Sequence, residues 1–170
     1  MEKRKIILNL CTSLDGFIEG PAGEYDWCFT DQDYGMTDFL ASIDTIFFGR
    51  KSYELFIKED NSLFSDKKFF VFSKSFQDEN VKVISENIYD EVMKIVEYDG
   101  KDIWLFGGAS LFNTLFDLKL IDELIISIHP IILGSGKLLF SDTGYRTGLK
   151  LLECKSFDSG LVQVKYSVEK

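Results

Sequence analysis

Residues Asp102–Phe116 read DIWLFGGASLFNTLF, and the two glycines in the middle decide how the chain is built. Ile103-Trp104-Leu105-Phe106 is an apolar run of strand length. Gly107-Gly108 interrupts it, and after Ala109-Ser110 the residues Leu111, Leu115 and Leu118 recur at helical spacing. The pattern predicts a buried strand that stops at a helix N-terminus. Such an end presents unpartnered backbone N–H groups and the positive end of the helix dipole, and two residues without Cβ let an anion approach the backbone. It is a candidate pyrophosphate seat. The plainer reading, a tight strand-to-helix turn with nothing bound, accounts for Gly-Gly equally well.

Two more turns support the first reading. Thr45-Ile46-Phe47-Phe48 reads as a strand, and Gly49-Arg50-Lys51-Ser52 opens a helix running to about Ile57. Cations in a helix's first turn oppose its dipole unless an anion sits among them, so Arg50, Lys51 and the Ser52 hydroxyl point to an anion site. Lys67–Lys74 is a further strand that ends in a hydroxyl and a cation, Ser73 and Lys74.

The remaining segments fall around these turns. Ile6–Cys11 is a first strand, continuously apolar as strands covered on both faces are. It leads through Thr12-Ser13-Leu14-Asp15-Gly16 into Phe17-Ile18. Residues 19–34 form a long loop with Tyr25, Trp27 and the acidic residues Glu24, Asp26, Asp31 and Asp33, and loops of that length are often functional. Met36–Ile43 and Ile88–Tyr98 are helix candidates, Val81–Ser85 is a short strand, and Ile121–His129 a long one ended by Pro130. Leu133–Phe140 is a glycine-rich turn into a short strand, and Leu149–Phe157 and Leu161–Val168 form a terminal hairpin. The alternation predicts an α/β fold: a mainly parallel central sheet flanked by helices, closed by an antiparallel C-terminal hairpin. The glycine turns all follow carboxyl ends of strands, where open α/β sheets bind ligands.

Composition narrows the function. A chain of 170 residues fits one domain spanning 1–170, and 45% hydrophobic residues with sixteen Phe predict an aromatic-rich core. No apolar run approaches the length of a membrane span or a secretory signal, so a cytoplasmic protein with no membrane partner is expected. The net charge of −9 argues against nucleic acid as a partner, and most charged residues read as solvated faces. Cys11, Cys28 and Cys154 lack CxxC spacing, and only His129 could join them as a ligand. Reduced, mostly buried thiols and no metal are expected. His129 itself reads as a strand-end or interface residue, and Trp104 and Phe106 as core.

Taken as a set, Phe48-Gly49-Arg50-Lys51-Ser52-Tyr53, Val71-Phe72-Ser73-Lys74, Leu105–Leu111, Leu120–Leu124 and Pro130–Gly136 resemble the dihydrofolate reductase-like superfamily. More narrowly they resemble the reductase domain of the bifunctional riboflavin-biosynthesis enzyme and its small stand-alone bacterial relatives. Ser13-Leu14-Asp15-Gly16-Phe17-Ile18 fits the same group. The resemblance implies an NADPH-dependent reductase. Gly49, Arg50 and Ser52 would hold cofactor phosphate, Ser73 and Lys74 would sit by the adenosine 2′-phosphate, and Gly107, Gly108, Ala109, Ser110 and Leu111 would hold the pyrophosphate. The zinc deaminase signature of the riboflavin enzyme, His-x-Glu with Pro-Cys-x-x-Cys, is absent, so reduction is the only step of that pair the chain could perform.

The activity expected is hydride transfer to a small heterocyclic or sugar-like substrate, with Trp27 in its pocket. A pocket carboxylate whose pKa burial raises could supply the proton, and Asp31 is the first candidate, Asp15 its rival. Either could equally be a turn aspartate bonded to its own backbone. The alternative to an enzyme is an NADPH- or nucleotide-binding sensor or interaction module without turnover. Leu133–Phe140 reads as an arm extending the sheet across a homodimer interface.

Overall fold

The computed structural model describes residues 3–141 and 143–170. In chain order the elements are β1 (Ile6–Ser13), β2 (Phe17–Glu19), α1 (Met36–Ser42), β3 (Ile43–Gly49), α2 (Arg50–Phe56), β4 (Lys68–Phe72), β5 (Lys82–Ile84) and α3 (Ile88–Glu97). After them come β6 (Asp102–Gly107), α4 (Ala109–Asp117), β7 (Glu123–His129), β8 (Lys137–Leu138), β9 (Leu149–Ser156) and β10 (Val162–Val168). Eight strands form one sheet in the order β5-β4-β3-β6-β1-β7-β10-β9. The strands from β5 to β7 are mutually parallel, and β10 and β9 close the sheet antiparallel. No helix among the described residues is long and apolar enough to cross a membrane.

The apolar runs are continuous because the central strands are covered on both faces. Ile6, Leu8, Phe47, Ile103 and Leu105 pack on the side of α3 and α4, against Val92, Ile95, Phe112 and Leu115. Their strand neighbours Ile7, Ile46, Phe48 and Trp104 point the other way, toward Phe39 of α1 and Tyr53 and Phe56 of α2. The expected aromatic core is present. Phe48 touches the rings of Tyr53, Phe56, Phe69 and Phe106 at centroid distances of 4.9–5.7 Å, mostly edge-on or tilted.

Most charged residues are solvated, as expected, while a few of them clamp the amino ends of the strands. Arg4 is buried; its guanidinium donates to the carbonyls of Lys101 (2.5 Å) and Ile95 (3.1 Å) and to Thr45 Oγ1 (2.7 Å), and it pairs with Asp44. Lys5 N donates to Asp102 and Ile6 N to Asp122, each at 2.8 Å. Glu123, 4% exposed, lies 2.9 Å from Lys5 Nζ and 2.8 Å from Lys165 Nζ.

Burial works to raise the Glu123 pKa, but hydrogen bonds and charge from Lys165 and Lys5 outweigh it and hold the group below its ordinary value. Because the folded pKa is the lower one, this contribution is present above the unfolded value of about 4.3 and is lost as pH falls through the folded value. Glu123→Gln should therefore be less stable at pH 7 by about 1–2 kcal/mol, and the gap should close on acidification. Urea unfolding across pH checks this, and a gap independent of pH would refute it.

Two expectations are corrected. The strand within Leu133–Phe140 does not extend the central sheet: β8 lies antiparallel to β2 in a separate two-stranded sheet, with Phe17 opposite Leu138. The thiols, expected to be mostly buried, are half-buried at Cys11 and Cys28 and exposed at Cys154 on β9, the outermost strand.

Candidate functional site

The carboxyl ends of β4, β3 and β6 finish at one level. Gly49 pairs with Phe72 on one side, and Phe48 pairs with Gly107 on the other, so the three turns that follow sit side by side. Gly107 has φ +131, a backbone conformation that side chains rarely adopt, and its peptide bond to Gly108 is cis. Gly49 has an ordinary φ of −73, but a Cβ there would lie 3.3 Å from Gly108 N and 3.5 Å from Gly107 O. A Cβ on Gly108 would come 3.4 Å from Ser52 Oγ. Glycine is needed at 49 so that two turns can approach, and at 108 it leaves the space beneath Ser52 open.

Each predicted cofactor residue can now be placed. α4 begins at Ala109 with no side-chain cap; its first backbone bond runs from Phe112 N to Gly108 O, which leaves the N–H groups of Ala109, Ser110 and Leu111 ahead of the ladder. Arg50 opens α2 in solvent, its Nε 3.8 Å from Glu54. Ser73 N donates to Ile84 O, and Ser73 Oγ accepts from the N–H groups of Ser75 and Phe76, while its own proton is still free to be given. Lys74 beside it is exposed. A cleft of about 670 Å³ lies between the first turns of α4 and the β2–β8 pair, lined by Phe17, Ala109, Ser110, Asn113 and Lys137 among others. Asn113 Oδ1 is buried without a hydrogen-bond partner among the described residues. The sequence signal for Asn113 was its place one helical turn after Ala109, on the same face.

The candidate acids lie elsewhere and differ from each other. Asp15 accepts from Ser13 Oγ (2.6 Å), Leu133 N (3.1 Å) and Gly134 N (2.8 Å), and thereby ties the turn after β1 to the loop after β7. The Ser13 hydroxyl, with the two backbone donors, holds its carboxyl below the ordinary value. Asp31 stands exposed with Tyr34 Oη 2.8 Å from its Oδ1. Asp33 accepts from Thr37 N and Thr37 Oγ1 and so caps the first turn of α1.

The loop between β2 and α1 brings its aromatic residues onto β7. Trp27 and Phe29 pack edge-on against the ring of His129, at 5.4 and 4.9 Å. Trp27 is half-buried, and its indole N–H has no acceptor among the described residues. His129 is 1% exposed; its Nε2 accepts from Phe29 N at 3.0 Å, and its Nδ1 lies 3.1 Å from Ser127 O. Burial lowers its pKa.

Beside this ring the structure brings together residues that show no ligand spacing in the sequence. The ligand atoms of Cys11, Cys28 and His129 all lie within 4.8 Å of one another. The two thiols lie close enough that their interaction lowers the pKa of Cys11 against its burial and raises that of Cys28. Only the adjacency of β1 and β7, with Cys11 opposite Ser127 and Ser13 opposite His129, makes the group visible.

The profile of the RibD C-terminal domain matches residues 4–163. The uncharacterized protein YyaP of Bacillus subtilis strain 168 is 47% identical, over 98% of this chain and 96% of that protein. Among solved structures, a Shewanella sp. PV-4 protein named for riboflavin biosynthesis superposes with a TM-score of 0.87 at 22% identity, covering 98% of this chain and 99% of that one. A dihydrofolate reductase of Enterococcus faecalis complexed with NADP(H) superposes with a TM-score of 0.71 at 14% identity, covering 98% and 97%. The two superpositions establish a dihydrofolate reductase-like fold.

Proposed function

The chain belongs to the RibD C-terminal domain family, and from that premise we propose that it is an NADPH-dependent reductase acting on a small heterocyclic or sugar-like substrate. The observation that carries the reading is the approach of Gly49 to Gly108, which sets the starts of α2 and α4 side by side while Arg50 and Lys74 stand exposed at neighbouring strand ends. A diester is held there by the amides of Ala109, Ser110 and Leu111, and a phosphomonoester by the guanidinium of Arg50, the ammonium of Lys74 and the Ser73 hydroxyl. The bound cofactor would supply a hydride from C4 of its nicotinamide.

The protein's own residues then orient and enclose the acceptor. Trp27 offers a buried N–H that a substrate oxygen would satisfy, and the loop carrying it excludes water from the strand ends. Asp31, expected as a pocket acid, instead stands exposed on the loop with Tyr34 Oη hydrogen-bonded to it, so a water molecule is the group that completes the proton transfer. Asp15 acts as a clamp between two loops, because a carboxyl held ionised by three donors is a poor proton source. That commitment of Asp15 also favours a second reading, a cofactor-binding module without turnover. Consumption of NADPH with pyrimidine, pterin or ketone substrates separates the two.

The direct test is a titration with NADPH and with NADH, following Trp27 and Trp104 fluorescence. Tighter binding of NADPH supports the assignment. Arg50→Ala should weaken NADPH about tenfold and leave NADH nearly unchanged, since only the former has a 2′-phosphate and the site is exposed. Equal losses for both would remove Arg50 from that phosphate.

A further inference from the structure

Cys11 lies near the carboxyl end of β1, Cys28 on the loop after β2, and His129 at the last position of β7. Their two Sγ atoms and one ring nitrogen are mutually within 4.8 Å. A tetrahedral zinc ion, with Zn–S near 2.3 Å and Zn–N near 2.0–2.1 Å, spaces such ligand atoms by roughly 3.5–3.8 Å. Closure therefore requires shifts of about 1 Å, and Cys28, outside any helix or strand, is free to make them.

The imidazole is prepared for the same task. Because Phe29 N–H donates to Nε2, that nitrogen carries a lone pair, and the ring hydrogen resides on Nδ1, which donates to the Ser127 carbonyl. An imidazole anchored through one nitrogen on a backbone carbonyl is the arrangement that metal-binding histidines use to fix their tautomer. Trp27 and Phe29 hold the ring edge-on from the loop side.

We infer that Cys11, Cys28 and His129 form a site for a thiophilic cation of the zinc class, with two thiolates and a neutral imidazole as ligands and a fourth position for water or a substrate oxygen. The ion takes the Nε2 lone pair in exchange for the Phe29 N–H, and both thiols give up their protons to solvent. A divalent ion with two thiolates is neutral overall, which suits a half-buried position. Binding would join the substrate loop to β1 and β7. The inference does not depend on the cofactor reading.

The test uses the whole protein, stripped of metal and reduced with a phosphine. Zinc is titrated against a chromophoric chelator, and cobalt(II) is added separately as a spectroscopic probe. The expected result is one equivalent bound with proton release, and a thiolate-to-cobalt charge-transfer band. Cys28→Ser and Cys11→Ser should each lower affinity by about 100-fold, and the distant Cys154→Ser should leave it unchanged. Cys28 is on a loop, so its variant keeps the far-UV circular dichroism of the parent. Failure of the parent to bind zinc stoichiometrically, or undiminished binding by Cys28→Ser, would overturn the site. So would a Cys11–Cys28 disulfide formed with oxidised glutathione in a protein that shows no zinc affinity when reduced.

Discussion

Gly108→Val should abolish binding of NADPH and NADH alike, each by more than about 100-fold, in a protein that still folds. Gly108 has φ −86 and ψ −171, an extended conformation open to any residue. The space its side chain would enter is not open in the same sense. A Cβ lies 3.4 Å from Ser52 Oγ, and valine's two methyl groups must project between the first turns of α2 and α4, where the pyrophosphate is proposed to lie. Both cofactors share that group, so the loss does not discriminate between them. Tryptophan fluorescence titration measures it, with circular dichroism to confirm the fold; wild-type affinity in the variant would sink the proposed seat.

Arg4→Ala should have the largest effect on stability, about 3–5 kcal/mol by urea denaturation. Arg4 joins three parts of the chain: Asp44 and Thr45 at the start of β3, the Ile95 carbonyl in α3, and the Lys101 carbonyl just before β6. Truncation leaves Asp44 without its cation and two carbonyls without a donor. Asp44→Asn should cost less, because it keeps an acceptor for the guanidinium and leaves the charge only partly shielded. A loss below about 1 kcal/mol in Arg4→Ala would show that solvent replaces the guanidinium without penalty.

The contrast between the two ends of the sheet explains what could be read in the sequence. The strands were legible because residues such as Ile6, Ile7 and Leu8, or Ile103, Trp104 and Leu105, are buried alternately on two faces and so form unbroken apolar runs. The turns were legible because Gly49 and Gly107 each answer a steric demand that few other residues meet. Strand order was not, since β1 sits between β6 and β7 through pairings made across roughly a hundred residues, and no local pattern encodes them. Everything that depends on that order was hidden with it: the meeting of Cys11 with His129, the burial of Arg4 and Glu123, and the partnership of β8 with β2.

The sheet's two borders are unequal, and this bears on how copies of the chain can meet. The β5 border is three residues long and begins with Lys82, which makes a poor template for another strand. The β9 border is eight residues long, with Leu149, Leu151 and Leu152 in solvent. A molecule with a single usable border cannot propagate a chain of contacts, because each new copy would need a second one. A contact made edge to edge through β9 would therefore close at two copies about a twofold axis and leave no second border of that length to extend from.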